Sequence, residues 1–332
     1  MAHTFVLSDD TVLCSKTAEG WWPLSIPLPQ DNVSDISNVN DISDISNANA
    51  SVAAPAYQVG HVSLHESLAI NHGFDVQHDS SDTRTDAVAH AEPTASYSAP
   101  AIHAISYDYA VAHNIVLPSI DESSAHVFVP YRQLMVQLPV ALSDQISQAI
   151  QLLRWQADTQ FCSRCSSPAV PAPLDERAMV CPVCKLRQYP RVQPCVITAI
   201  TRPNPQTGET QILLAHHHRY GQQKLPMMYG LIAGFVEVGE SLEHAVVREV
   251  AEEVNISVTD IRYVSSQPWP YPSNLMLGFR ATYLSGDIII QEDELSHAEF
   301  FDVSNLPKTP PKGSIAHDLI AQIVGEQDSH NV

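Results

Sequence analysis

The stretch that most narrows what this 332-residue chain can fold into runs from Gly234 to Ile256. From about Ser241 to Val254, the valines at 246, 250 and 254 recur at helical spacing and mark an apolar stripe for burial. At about 100° per residue, Glu249, Glu252 and Glu253 fall within an arc of roughly 100° turned away from that stripe. Three carboxylates this close repel one another unless cations sit among them, so the arc reads as a seat for Mg²⁺ or Mn²⁺. Alone, the i, i+3, i+4 triple would suit a solvated acidic helix face. Gly234, Glu240 and Arg248, at their fixed spacing within the same stretch, turn the reading toward a site. Asn255 stands where the helix should end in a left-handed residue, a position asparagine fills second only to glycine.

Six cysteines are present, and four form two close pairs: Cys162-x2-Cys165 and, fifteen residues later, Cys181-x2-Cys184. Each pair suits a tight turn whose two thiolates converge on one ion, and two such turns complete the tetrahedron of a zinc ribbon. With all four positions filled by cysteine, one Zn²⁺ per chain would be structural. The first residues lack the basic-then-apolar order of a secretion signal, so ligation is favoured over disulfides and a cytoplasmic location is expected. Cys14 and Cys195 lack a paired neighbour and read as small buried residues.

The net charge of −20 is unevenly spread, with 17 acidic and 3 basic side chains in residues 1–150 against 20 and 14 in the rest. Such a surface disfavours broad nonspecific contact with nucleic acid, although a metal-lined pocket can still hold phosphates. No apolar run of about 18 residues occurs, so no membrane span is expected. Strands are expected at 4–7, 11–14, 110–117 and 126–130. Residues 31–55 repeat Asp35-Ile36-Ser37-Asn38 nearly unchanged and cannot offset their ordering entropy, which predicts a disordered insertion; 78–100 is similarly polar. Apolar spacing over 142–155 predicts a helix leading into the first cysteine pair. Residues 195–201 and 211–215 read as partner strands joined by a turn at 203–208. His216-His217-His218 reads as a strand-end loop, not a metal tract.

The 234–256 stretch resembles the Nudix box: Gly, five residues, Glu, seven residues, then Arg-Glu-apolar-x-Glu-Glu-x-Gly-apolar. Asn255, in place of the last glycine, is the one departure. Two further stretches are similar to the NADH pyrophosphatase family. Ser266 to Asn274 (SQPWPYPSN) looks like its aromatic-proline array, and Tyr189-Pro190-Arg191-Val192-Gln193-Pro194 like its entry strand. Tyr271 replaces a phenylalanine of that pattern and Asn274 a serine. The prolines at 268, 270 and 272 hold the array rigid and extended, which orients Trp269 and Tyr271 for stacking on an aromatic base at small entropy cost.

The resemblance implies an α/β fold: a Nudix α/β/α sandwich with a mixed sheet at 190–325, a zinc ribbon at 158–189 and an acidic α+β N-terminal domain at 1–157. It implies hydrolysis of NADH or NAD⁺ to nicotinamide mononucleotide and AMP by a homodimer, and removal of NAD caps from RNA 5′ ends. The alternatives are a Nudix hydrolase for ADP-ribose or diadenosine compounds, or a noncatalytic nucleotide sensor. In the family's assignment Glu249 and Glu253 are metal ligands, with Glu294 and the backbone carbonyl of Ala233. Glu252 is a ligand or positions the attacking water, Arg248 orients the glutamates and Glu240 braces the loop. Phe235 is expected to stack on a base. Gln267, Pro268, Trp269, Pro270, Tyr271, Pro272, Ser273 and Asn274 of the array contact substrate, as do Glu176, Tyr189 and Ala316.

Overall fold

The computed structural model describes residues 3–27, 61–64, 102–120, 125–172, 176–218 and 226–330. The insertion expected at 31–55 and the polar stretch at 78–100 lie outside the described residues. Among those described, no helix is long and apolar enough to cross a membrane.

The first sheet begins with a hairpin of β1 (His3–Ser8) and β2 (Thr11–Thr17), whose turn places Asp9 at φ 52°. β3 (Gly20–Pro23), β4 (Ser25–Ile26), β5 (His61–Leu64), β6 (Ile102–Ser106) and β7 (His126–Pro130) complete it. The order is β3-β2-β1-β6-β5, with β4 beside β1, β7 beside β2, and, among the described residues, only β1 and β6 parallel. The strand expected at 110–117 is not there. A helix, α1 (Tyr107–Ala112), takes its first part, because the Ser106 hydroxyl caps it by accepting from the Tyr109 N–H at 3.1 Å. Asn114, at φ 53°, then turns the chain away. After the short α2 (Tyr131–Leu134), the helix expected at 142–155 extends over Val140–Asp158 as α3. Its Ile146, Ile150 and Leu153 pack in one core with Leu7, Val12, Val129 and Tyr131.

The two cysteine turns carry three two-residue strands, β8 (Val170–Pro171), β9 (Met179–Val180) and β10 (Arg187–Gln188), in the antiparallel order β10-β9-β8.

The third sheet is mixed. It comprises β11 (Gln193–Pro203), β12 (Thr210–His217), β13 (Ile232–Phe235), β14 (Ser257–Trp269), β15 (Asn274–Ser285) and β16 (Leu295–Asp302). Its order is β14-β15-β11-β12-β16, with β13 beside β11 and with β11 and β15 parallel. Alternation along β11 divides the core into two layers. Cys195, Ile197 and Ala199 meet α5 (Ile315–His330) through Ile315, Leu319 and Ile323. Val196 and Ile200 meet α4 (Leu242–Val254) through Ala245, Val246, Val250 and Val254. The three valines are fully buried, and each contributes roughly 1.5–3 kcal/mol of apolar transfer as an upper figure. A helix on each face of a mixed sheet is the expected α/β/α sandwich, and this burial fixes which side of α4 the glutamates present.

Candidate functional site

Local sequence sets both ends of α4. The Ser241 hydroxyl accepts from the His244 N–H at 3.2 Å and starts the helix. Asn255 ends it at φ 58°, ψ 29°, as its position in the stretch predicts. The Asn255 side chain also donates to the Asp287 carbonyl at 3.2 Å, and the Ile289 and Gln291 N–H groups reach the Val254 and Glu253 carbonyls at 3.2 and 2.9 Å. The loop leading to Glu294 is thereby stitched to the end of the helix. His218 holds the same loop, with its N–H donating to the Glu294 carbonyl at 2.9 Å.

Arg248 is the hub. Its Nε and Nη2 donate to the two Glu240 oxygens at 2.8 Å each, its Nη1 to Glu249 and Glu252 at 2.9 Å each, and its Nη2 also to the Phe235 carbonyl at 2.8 Å. One guanidinium thus offsets repulsion among three carboxylates and fixes the loop that leaves β13. Cation neutralisation on this face is therefore supplied in part by the chain itself. Arg248, and after it the Glu237 N–H, holds the Glu240 carboxyl down to about 2. Burial pushes Glu249 up against the pull of Arg248, and the Glu252 and Glu294 carboxylates add to the rise. That coupling places Glu294 within electrostatic reach of the glutamate face.

Gly234 faces this face from β13. A Cβ on it would lie 1.9 Å from the Glu249 Cδ, so the missing side chain is the seat of the Glu249 carboxylate. Ala233 beside it is buried opposite Ile197, and Phe235 is 49% exposed at the rim.

Glu253 is 2% exposed and lies against His217, with Nδ1 and Oε2 4.0 Å apart. The histidine tract departs from the loop reading. His216 and His217 lie inside β12, where pairing with His297 and Leu295 across a bulge prolongs the strand and buries both rings. The His217 Nε2 donates to the Leu231 carbonyl at 3.4 Å, which orients the ring. No sequence pattern joins His217 to Glu253, which lie on β12 and α4 and meet only in the fold.

The ribbon is built from two copies of one turn. The Ser166 N–H donates to the Cys162 carbonyl and the Lys185 N–H to that of Cys181, at 2.9 and 3.0 Å. Ser166 and Lys185, each just after the second cysteine of its pair, sit at φ 59° and 60°. The four sulfurs lie within 4.8 Å of one another, and Cys162–Cys184 and Cys165–Cys181 are each 3.5 Å apart. A Zn–S bond of about 2.3 Å implies tetrahedral edges of about 3.8 Å, so the donor set fits zinc. The Ser167 hydroxyl and N–H, with the Cys181 sulfur, hold the Cys165 thiol down to about 6, within easy reach of the thiolate a metal needs. Among the described residues no other group of three or more His, Cys, Asp or Glu side chains converges this closely. Cys14 and Cys195 are buried, as expected.

Glu176 and Tyr189 are brought together, the tyrosine hydroxyl donating to the carboxylate at 2.8 Å while Arg187 pairs with the same group. In the array, Gln267 bridges the Gly313 carbonyl and the Ile315 N–H at 2.8 Å each, next to buried Ala316. Ser273 joins Gln193 through its carbonyl at 2.9 Å and its hydroxyl at 3.3 Å, and Asn274 is buried at the start of β15. Pro268 is exposed at the end of β14, and Pro270 and Pro272 present their carbonyls to Arg154. The Trp269 and Tyr271 rings are half-buried, with Arg132 stacked 3.9 Å from the Tyr271 centroid. Arg132 and Arg154 have no sequence motif that could have singled them out.

Residues 193–322 match the NUDIX domain model, and residues 157–189 match the NADH pyrophosphatase zinc ribbon domain. The chain is 41% identical over 207 residues to the NAD-capped RNA hydrolase NudC of Klebsiella pneumoniae (strain 342), covering 62% of this chain and 75% of the relative. It is 42% identical over 193 residues to the NudC of the same description from Pseudomonas aeruginosa (strain LESB58), covering 58% of this chain and 66% of the relative. Among solved structures, a NUDIX hydrolase from Nitrosomonas europaea matches at 22% identity and a TM-score of 0.41, over 52% of this chain and 93% of that one.

Proposed function

Because the chain belongs to the NudC family of zinc-ribbon Nudix hydrolases, we propose that it cleaves the pyrophosphate of NADH and NAD⁺ to nicotinamide mononucleotide and AMP, and removes NAD caps from RNA 5′ ends. The observation that carries this reading is the Arg248 hub, which holds Glu240, Glu249 and Glu252 in register while Glu249 occupies the space left by Gly234.

Glu249, Glu253, Glu294 and the Ala233 carbonyl would hold Mg²⁺ or Mn²⁺. Such an ion, when bound, supplies charge to the pyrophosphate oxygens and makes a coordinated water more acidic. Glu252, whose side chain is 53% exposed next to the buried Glu253, completes the metal site or directs the attacking water. Water adds to one phosphorus, the bond to the bridging oxygen breaks, and the two mononucleotides part. Arg248 and Glu240 keep the carboxylates aimed, and His217 backs Glu253 from inside the sheet. Phe235 at the rim, Glu176 with Tyr189, Ala316 and the 267–274 array form the substrate-binding set. The four-cysteine site takes one structural Zn²⁺.

We read the chain as three units, 1–157, 158–189 and 190–325. A homodimer with the substrate site near its interface suits the exposed Phe161, Val183 and Val192. A cytoplasmic location suits six cysteines that form no disulfide.

Product analysis of purified protein with NADH and with NAD-capped RNA, in Mg²⁺ or Mn²⁺, tests the reading. Wild type should release AMP and reduced nicotinamide mononucleotide, and Glu253→Gln should lose at least about 10–100-fold of that rate. Cleavage of ADP-ribose with NADH and capped RNA left intact would refute the substrate assignment while keeping the chemistry. The relative rates on the two substrates choose between metabolite and cap.

A further inference from the structure

Between Trp269, the last residue of β14, and Asn274, the first of β15, the chain leaves the ladder. Pro270 and Pro272 have no N–H, so this crossing offers carbonyls in excess of donors. Both carbonyls are satisfied from outside the sandwich, as the Arg154 Nη1 donates to Pro270 and to Pro272 at 2.8 Å each. Arg154 lies on α3, in the N-terminal unit. A second arginine of that unit, Arg132 on α2, lies 3.9 Å from the Tyr271 centroid and 5.9 Å from that of Trp269. Tyr131 stacks with Tyr271 at 6.5 Å and 28°. Trp269 packs against the core of the N-terminal unit and also against the α5-side core of the sandwich. Below the array, Gln267 is tied to Gly313, and a Cβ on Gly313 would come within 2.5 Å of the Met135 carbonyl. The N-terminal unit therefore grips the array along its length.

We propose that Arg132 and Arg154 are positioning residues for the 269–274 array, and that through them the N-terminal unit sets how tightly the dinucleotide is held. The inference rests on reading that array as the part that recognises substrate. Arg154 determines the path of the backbone, and Arg132 fixes the tilt of the two rings by sitting over the face of one of them. Neither touches the glutamate face, so their loss falls on binding and spares the chemical step.

The test uses the full zinc-loaded chain with Arg154→Gln, Arg132→Ala and Arg132→Lys. Steady-state kinetics on NADH are combined with hydrogen–deuterium exchange of peptides covering 267–277 and 242–254. Arg154→Gln and Arg132→Ala should raise KM about tenfold or more, the scale of losing a charge-assisted contact, with kcat within about threefold. Arg132→Lys should recover part of the affinity, since it keeps the charge and loses the flat fork. Exchange should quicken over 267–277 and stay unchanged over 242–254. A KM unmoved in folded variants would overturn the proposal, and so would exchange that quickens equally over both segments. If wild type does not turn over NADH, the proposed function falls on its own. The grip is then judged by exchange alone, and unchanged protection over 267–277 overturns it.

Discussion

Gly234 opens the glutamate stretch for a reason of space. Its backbone lies outside the left-handed region, so an alanine there meets no strain of conformation. What the new methyl meets is the far end of the Glu249 side chain, at 1.9 Å. A flexible carboxylate can swing aside at little cost to folding, but then leaves the Arg248 fork. Gly234→Ala should therefore keep a near-native melting temperature while metal-dependent NADH hydrolysis falls by about 10–100-fold. Thermal melts beside rate measurements separate the two effects; equal loss of both would show that the glycine serves the backbone. Glu253 makes the complementary case, because its environment comes from a histidine 36 positions earlier in the chain, on another strand.

At the scale of elements, α4 depends on its last residue. Asn255 adopts a conformation that costs an ordinary residue about 1–2 kcal/mol, and its amide also holds the Asp287 carbonyl. Asn255→Ala should destabilise the chain by about that much in urea, while Asn255→Gly should stay within about 0.5 kcal/mol of wild type. Equal effects would mean that the side-chain bond to Asp287 outweighs the backbone term. This helix, like the ribbon, was legible in sequence because everything that defines it lies within about twenty residues: a cap, a stripe, an acidic face and a left-handed stop. The strand expected at 110–117 failed for the same locality. Over so short an apolar run the helical and extended patterns coincide, and a single serine hydroxyl at 106 decided between them. The continuation of β12 through His216 and His217 was hidden because it depends on β16, some eighty residues on. The grip on the array was hidden altogether, since Arg154 and the carbonyls it satisfies are 116 and 118 positions apart.

At the scale of the whole molecule, the six cysteines should fall into two chemical classes. Burial pushes the Cys14 thiol up to about 12 and shields it from reagent. The ribbon thiols differ among themselves, Cys165 held down to about 6 and Cys184 raised to about 11, and share only their dependence on the metal for protection. Chelation of zinc at pH 8 should open the four ribbon thiols to iodoacetamide, while Cys14 and Cys195 stay unlabelled until the chain is denatured. Mass spectrometry of the alkylated peptides reads the outcome. Early labelling of Cys195 would mean that β11 loosens together with the ribbon that precedes it.

The indole of Trp269 sits in two cores at once, which has an evolutionary consequence. The N-terminal half carries none of the proposed catalytic groups, so a change in its residues leaves the geometry of the glutamate helix untouched. Yet drift in the core around Leu152 and Leu153 presses on that indole, and through it on the array proposed to hold the substrate. A lineage can thus retune how tightly it grips its nucleotide by accumulating changes far from the chemistry, in the half of the chain that holds none of the proposed catalytic glutamates.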